Sequence, residues 1–162
     1  LKNFNILDKN LLMNNQNLSE NFIEKNFIEK NIMNDDLWFI LSKKQKFTKN
    51  FMIKYHKNLF WNEIFISNKI NEEFIIYIYD NLNNDYIEWD LILKYQSNLT
   101  SKFLDKYFNE FDELSINNLC KYQNLTYDFI NKRSKKLNWY ILLSKQKVNE
   151  ELHQPEFKMK QQ

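Results

Sequence analysis

Glycine is missing from all 162 residues. Phosphate-cradling loops and dinucleotide turns need residues that reach positive φ and let a ligand approach the backbone, so a P-loop and a Rossmann fingerprint are excluded. Cys120 is the single cysteine, which rules out an internal disulfide, and the two histidines, His56 and His153, lie too far apart to form a metal ligand set with it. No metal or other cofactor is expected. No apolar run reaches the roughly 18 residues of a membrane span, and the first residues lack the basic, apolar, small order of a secretory signal. The expected compartment is a reducing cytoplasm. Alanine is absent as well, Pro155 and Val148 stand alone of their kinds, and Arg133 is the only arginine among 23 basic residues. The scarce residue types have GC-rich codons while Lys, Asn, Ile, Phe and Tyr abound, which indicates an AT-rich genome. Lys and Asn richness therefore says little about function.

What remains is strongly apolar. Hydrophobic residues make up 43% and aromatics 17%, against 27% charged, a balance that favours folding over disorder. At 20.1 kDa the chain has the size of one domain and can bury roughly 70% of its unfolded surface.

The sequence repeats itself. Three of the four tryptophans have Gln at the seventh following position: Trp38 and Gln45, Trp89 and Gln96, Trp139 and Gln146. Trp61 has Asn68 there, a further copy runs from Ile116 to Gln123, and Gln16 closes a degenerate first copy that begins near Lys9. Behind each amide comes a small polar residue, in the series Ser19, Thr48, Asn71, Thr100, Thr126, Asn149, and three positions later Phe22, Phe51, Phe74, Phe103, Phe129 or Leu152. All three threonines of the protein fall in that polar column. Ser, Thr and Asn ahead of an apolar-periodic run are helix N-caps, so the column marks helix starts.

Each unit then reads as two short helices. The first carries Trp, an aliphatic at offset 3 (Leu41, Ile64, Ile92, Leu119, Leu142), often an apolar residue at offset 4, and the amide at offset 7, all on one helical face. The second starts at the cap and buries the Phe with its neighbour (Ile23, Met52, Ile75, Leu104, Ile130). The amides at 16, 45, 68, 96, 123 and 146 are 29, 23, 28, 27 and 23 residues apart. Part of this drift is the tandem NFIEK of residues 21–25 and 26–30, which lengthens one link. Units this small cannot bury a core alone, so the fold expected is all-α, a short α-solenoid of about five stacked hairpins. Residues 1–153 form a single repeat domain in this reading and 154–162 a C-terminal tail.

The pattern W-x-x-[IL]-x-x-x-Q followed by [LFI]-[ST]-x-x-F-[IL] resembles the Trp/Gln helical-hairpin repeat scattered through uncharacterised proteins of phages, large DNA viruses and AT-rich bacteria. It spans residues 7 to 153, departing at Asn68 and Ile116. The resemblance implies the architecture, a mobile-element origin and, if viral, the cytoplasm of a host cell. It implies no reaction.

Several side chains invite a functional reading. The Trp column can be imagined as a base-stacking platform, but its register with offsets 3 and 7 makes it core. The Gln amide is expected to tie the last carbonyls of its own helix to the turn into the next cap. His56 and His153 have no nucleophile or carboxylate at a recurring spacing, so no enzyme activity is expected. Asp35, Asp36, Asp85 and Glu88 precede Trp residues as first-turn acids. Charge is banded: residues 43–57 hold six Lys and no acid, residues 80–113 eight acids and three Lys, residues 132–147 six basic residues and no acid. A column six after the cap adds Lys25, Lys54, Lys106 and Lys132. With Lys43, Lys44, Arg133 and Lys135 these are the candidate partner-binding residues. The expected function is a non-enzymatic scaffold that binds another protein, such as a phage or mobile-element protein occluding a host factor, with no membrane and no small-molecule substrate. The alternative is a nucleic-acid-binding accessory protein that uses the Lys bands.

Overall fold

The computed structural model describes residues 6–145, and among these every regular element is helical. Gln146, the Asn149 and Leu152 positions, His153 and the segment 154–162 lie outside the described residues. The chain divides into two compact units, Leu1–Ile87 and Glu88–Gln162. The first holds α1 (Ile6–Asn15), α2 (Glu20–Ile23), α3 (Asp35–Lys44), α4 (Lys49–Lys54), α5 (Trp61–Ser67) and α6 (Glu72–Tyr77). The second holds α7 (Trp89–Tyr95), α8 (Ser101–Tyr107), α9 (Glu113–Tyr122), α10 (Tyr127–Arg133) and α11 (Trp139–Lys145).

All five described caps of the polar column are in place. Ser19, Thr48, Asn71, Thr100 and Thr126 hold extended backbone conformations, and their side-chain oxygens accept the N–H of Phe22, Phe51, Phe74, Phe103 and Phe129 at 3.0–3.3 Å. Each bond satisfies one of the orphan donors at a helix start. The helices they open, like those that carry Trp, have four to ten residues, too short to persist in water without tertiary packing. That packing joins alternate elements: α1 to α3 and α3 to α5 in the first unit, α7 to α9 and α9 to α11 in the second.

The buried stripe has the expected period. Trp38, Trp61 and Trp89 are buried, as are Leu41, Ile64, Ile92, Leu119 and Leu142 at offset 3 and Phe65, Leu93 and Cys120 at offset 4. Leu143, in the same column, is instead 48% exposed. Trp38 lies 5.6 Å from Tyr55, Trp61 stacks on Tyr86 at 5.4 Å, and Trp89 packs on Tyr107 at 4.9 Å. The indole N–H groups of Trp61 and Trp139 donate to carbonyls five residues earlier, His56 at 3.0 Å and Ser134 at 2.8 Å. Apolar body and polar tip are thus both accommodated. Offset 4 of α3 is Ser42, fully buried, whose hydroxyl donates to the Trp38 carbonyl and accepts the Phe60 N–H at the start of α5.

Without glycine, asparagine takes the left-handed positions. Asn31 has φ 57° and Asn98 φ 64°; Asn tolerates this region better than other residues with a Cβ. The Ile32 N–H bonds the Phe27 carbonyl and the Asn31 N–H the Ile28 carbonyl, the paired bonds with which a left-handed residue closes a helix end. Just before it, the chain widens into a π-helical turn, Glu24–Ile28, across the junction of the two NFIEK copies. Asn98 accommodates a different insertion: Gln96 stands four residues before its cap, whereas Gln16, Gln45, Asn68 and Gln123 stand three before theirs.

Candidate interaction surface

The amide column binds across repeats. Gln45, 2% exposed, ends α3, and its Nε2 donates to the carbonyls of Met13 (2.9 Å) and Gln16 (2.8 Å) while its Oε1 accepts the Leu18 N–H at 2.9 Å. Gln123 repeats the geometry in the second unit, donating to Leu93 (2.6 Å) and Gln96 (2.7 Å). In both cases the acceptors are the preceding amide residue's own carbonyl and the one three earlier, at the C-terminus of the first helix of the preceding repeat. The amide thus satisfies terminal carbonyls as expected, but they belong to the neighbour rather than to its own helix. Asn68, one methylene shorter, manages with help. Its Oδ1 accepts the Phe47 N–H at 3.0 Å and its Nδ2 reaches the Gln45 carbonyl at 3.4 Å, while the Ser67 hydroxyl covers the Ser42 carbonyl at 2.8 Å. Ser67 and Asn68 together do what one Gln does elsewhere.

Several candidate basic residues are engaged in the same way. Lys54 Nζ lies 2.8 Å from Glu24 Oε1, which also accepts from the Tyr55 hydroxyl. Lys132 and Arg133 both pair with Asp105. Lys54 and Lys132, each at the sixth position after its cap, meet the acid at the fifth position after the preceding cap, and Arg133 joins from the seventh. These partners hold the carboxyls of Glu24 and Asp105 below their ordinary range and raise the Lys54 ammonium. One residue past a cap, Glu20 accepts from both the backbone N–H and the hydroxyl of Thr48, and Ser101 Oγ lies 3.1 Å from Thr126 Oγ1. Lys106 Nζ sits 4.7 Å from the Tyr107 ring centroid. Lys25, Lys44 and Lys135 are exposed. The spacing of 27–30 residues between the acids and their lysines was the signal that would have paired them, since it matches the repeat length.

Trp38, Trp61, Trp89 and the amides Gln45, Asn68, Gln96 and Gln123 are turned inward, while Trp139 is half-buried and Gln16 exposed, and other aromatic residues face solvent. Phe39 on α3 and Phe60 before α5 are 37% and 39% exposed, meet edge to face at 5.5 Å, and carry Lys43 Nζ 5.4 Å above the Phe39 ring. Lys44 follows at the end of the same helix. In the second unit Tyr95 and Tyr122, each 41% exposed, end α7 and α9 with Lys94 and Lys121 over their rings at 4.9 and 5.0 Å. Tyr95 and Tyr122 contribute to raising the Lys94 ammonium, chiefly through Tyr95. None of these aromatics belongs to the repeat columns read from sequence, because their positions are not shared by every unit.

One concavity is distinct. A cleft of about 350 Å³ in the second unit is lined by Phe108, Phe111, Ile116 and Leu137, with Asp112, Glu113 and Lys136 at its polar edge. It lies beside the residue that replaces Trp in the repeat. Two other reactive side chains among the described residues are held structurally. His56 Nδ1 is 3.4 Å from the Tyr86 hydroxyl, and burial pushes the Cys120 thiol up, away from the reactive thiolate. Among the described residues no group of three or more His, Cys, Asp or Glu is placed to hold a metal ion, and no helix is long and apolar enough to cross a membrane. No protein-family model matches the chain, no curated protein is significantly similar to it, and no solved structure is.

Proposed function

We propose that the chain is a non-enzymatic interaction scaffold: a short α-solenoid of Trp/Gln hairpins that binds another protein, in the manner of a phage or mobile-element product occluding a host factor. The observation that carries this reading is the exposed Phe39–Phe60 pair with Lys43 above it. Large aromatics held on helices that are fixed from behind present area at little entropic cost, which is the chemistry of interface anchors. The ion pairs of Lys54, Lys132 and Arg133 weigh in the same direction, since a cation already facing a carboxylate contributes less to phosphate neutralisation.

Nucleic-acid binding is the second reading, and the Tyr95 and Tyr122 rings with their lysines favour it, because a base stacks on any aromatic face. Affinity capture from the native host, with mass spectrometry and a nuclease-treated arm, separates the two. A stoichiometric protein retained by the wild type and lost on Phe39→Ser/Phe60→Ser supports the scaffold. Recovery that disappears with nuclease overturns it.

A further inference from the structure

We propose that the cleft beside Ile116 is a seat for a tryptophan side chain of a partner polypeptide in which that Trp is flanked by Lys or Arg; the proposal rests on the protein-scaffold reading and names the partner's chemistry.

The repeat itself is the template. Ile116 occupies in α9 the place of Trp38 in α3, four residues after a side-chain N-cap (Asp112 and Asn34) and seven before the buried amide (Gln123 and Gln45). At Trp38 the indole fills the site and is 6% exposed. At 116 the smaller side chain is only half-buried, and the cleft opens against Phe108, Phe111 and Leu137. The supporting aromatic has changed too: Tyr55 and Tyr107 back Trp38 and Trp89, whereas the corresponding seventh residue after the cap is here Arg133, which pairs with Asp105 and lies with its guanidinium 4.4 Å from the ring centroid of Phe108 in the cleft wall. The walls keep the aromatic and aliphatic character that receives an indole elsewhere in the chain, since Phe111 also packs on Trp89 at 5.2 Å.

Trp61 and Trp139 stand at the first residue of their helices and donate their indole N–H to the carbonyl five residues upstream, whereas Ile116 is the fourth residue of α9, as Trp38 is of α3. The seat beside Ile116 is therefore defined by apolar contact. The rim decides what surrounds the ring. Asp112 and Glu113 stand exposed at its edge, and the hydrogen bonds from Ser115 hold the Asp112 carboxyl low, so that it is ionised at neutral pH. Two carboxylates beside an aromatic seat complement a cationic neighbour of the incoming Trp, while Lys136 on the same rim can face the π surface of the ring. A bare indole carries no cation to meet these carboxylates, which commits the site to a polypeptide source.

The test is selection from a random peptide library on the wild-type protein, followed by affinity measurement against Ile116→Trp, in which the chain supplies its own indole. The expected peptides carry Trp next to Lys or Arg and bind the variant at least about tenfold more weakly, a loss of roughly 1.4 kcal/mol. Replacing their Trp by Ala has the same effect. Ile116→Trp is also expected to raise the melting temperature. Asp112→Asn/Glu113→Gln keeps an efficient helix cap and is expected to weaken the same peptides and flatten their salt dependence. Selection of peptides without Trp, equal binding to Ile116→Trp, or a lowered melting temperature in that variant overturns the proposal. N-acetyltryptophanamide binding as tightly as the peptides overturns the polypeptide source. Peptides that bind wild type and both variants equally remove this site while leaving the scaffold reading intact, which falls instead if host capture is nuclease-sensitive.

Discussion

Replacing Gln45 by Ala removes three hydrogen bonds at once, to Met13, Gln16 and Leu18, and leaves those backbone groups facing a space vacated inside the protein. An orphaned buried polar group costs about 1–3 kcal/mol, so even with water relieving part of the loss the substitution is expected to cost about 3 kcal/mol. Thr48→Ala, which removes the cap of α4, is expected to cost about 1 kcal/mol. Urea denaturation of the two variants checks the ordering; equal midpoints would show that the amide contributes no more than a cap. Ser67→Ala is informative beside them. It leaves the Ser42 carbonyl to the shorter Asn68, and Asn68→Gln in that background is expected to restore much of the lost stability.

At the level of helices, the ends are where an unusual composition becomes visible. Asn31 closes its helix at φ 57°, a role that glycine fills without steric conflict. Asn31→Gly is expected to raise stability by up to about 1 kcal/mol, and Asn31→Val to lower it by about 1–2 kcal/mol, because a β-branched residue meets the full left-handed penalty; melting temperatures of the two variants should move in opposite directions. The ion pairs between successive second helices have a pH signature. Glu24 and Asp105 are held below their ordinary pKa values, so the stabilisation they confer is present above the unfolded carboxylate range, near pH 4, and is lost as pH falls through the lower folded values. Exposure keeps the contribution of each pair small. Melting curves from pH 6 to pH 3 should therefore fall less steeply for Glu24→Gln/Asp105→Asn than for wild type, and parallel curves would refute the role. Helix starts were legible in sequence because a cap is a local event: Thr48 and Phe51 are three residues apart, and the bond between them follows from that spacing. The amide ladder was half legible. Buried Gln at a fixed offset signals an obligatory hydrogen bond, but offset alone does not say whose carbonyl it meets, and the answer lies 27–32 residues away. The Phe39–Phe60 pair and the Ile116 cleft were hidden because each depends on a departure from the repeat, which periodicity treats as noise.

For the molecule as a whole, a net charge of +2 and the ion pairs of Lys54, Lys132 and Arg133 leave modest attraction for a polyanion. Duplex DNA or RNA is expected to bind with a dissociation constant of roughly 10⁻⁴ to 10⁻⁶ M at physiological salt, measured by fluorescence anisotropy; a sub-micromolar value would promote the nucleic-acid reading over the scaffold. The direction of the amide ladder reaches further than stability. Gln45 offers its polar atoms backward, to carbonyls that the ribosome has already released, and Gln123 does the same for Leu93 and Gln96. A helix emerging during synthesis therefore leaves its end hydrated until the later amide arrives to clasp it. Assembly within each unit acquires an arrow that runs with translation, Gln45 and Gln123 each sealing a predecessor that had waited in water.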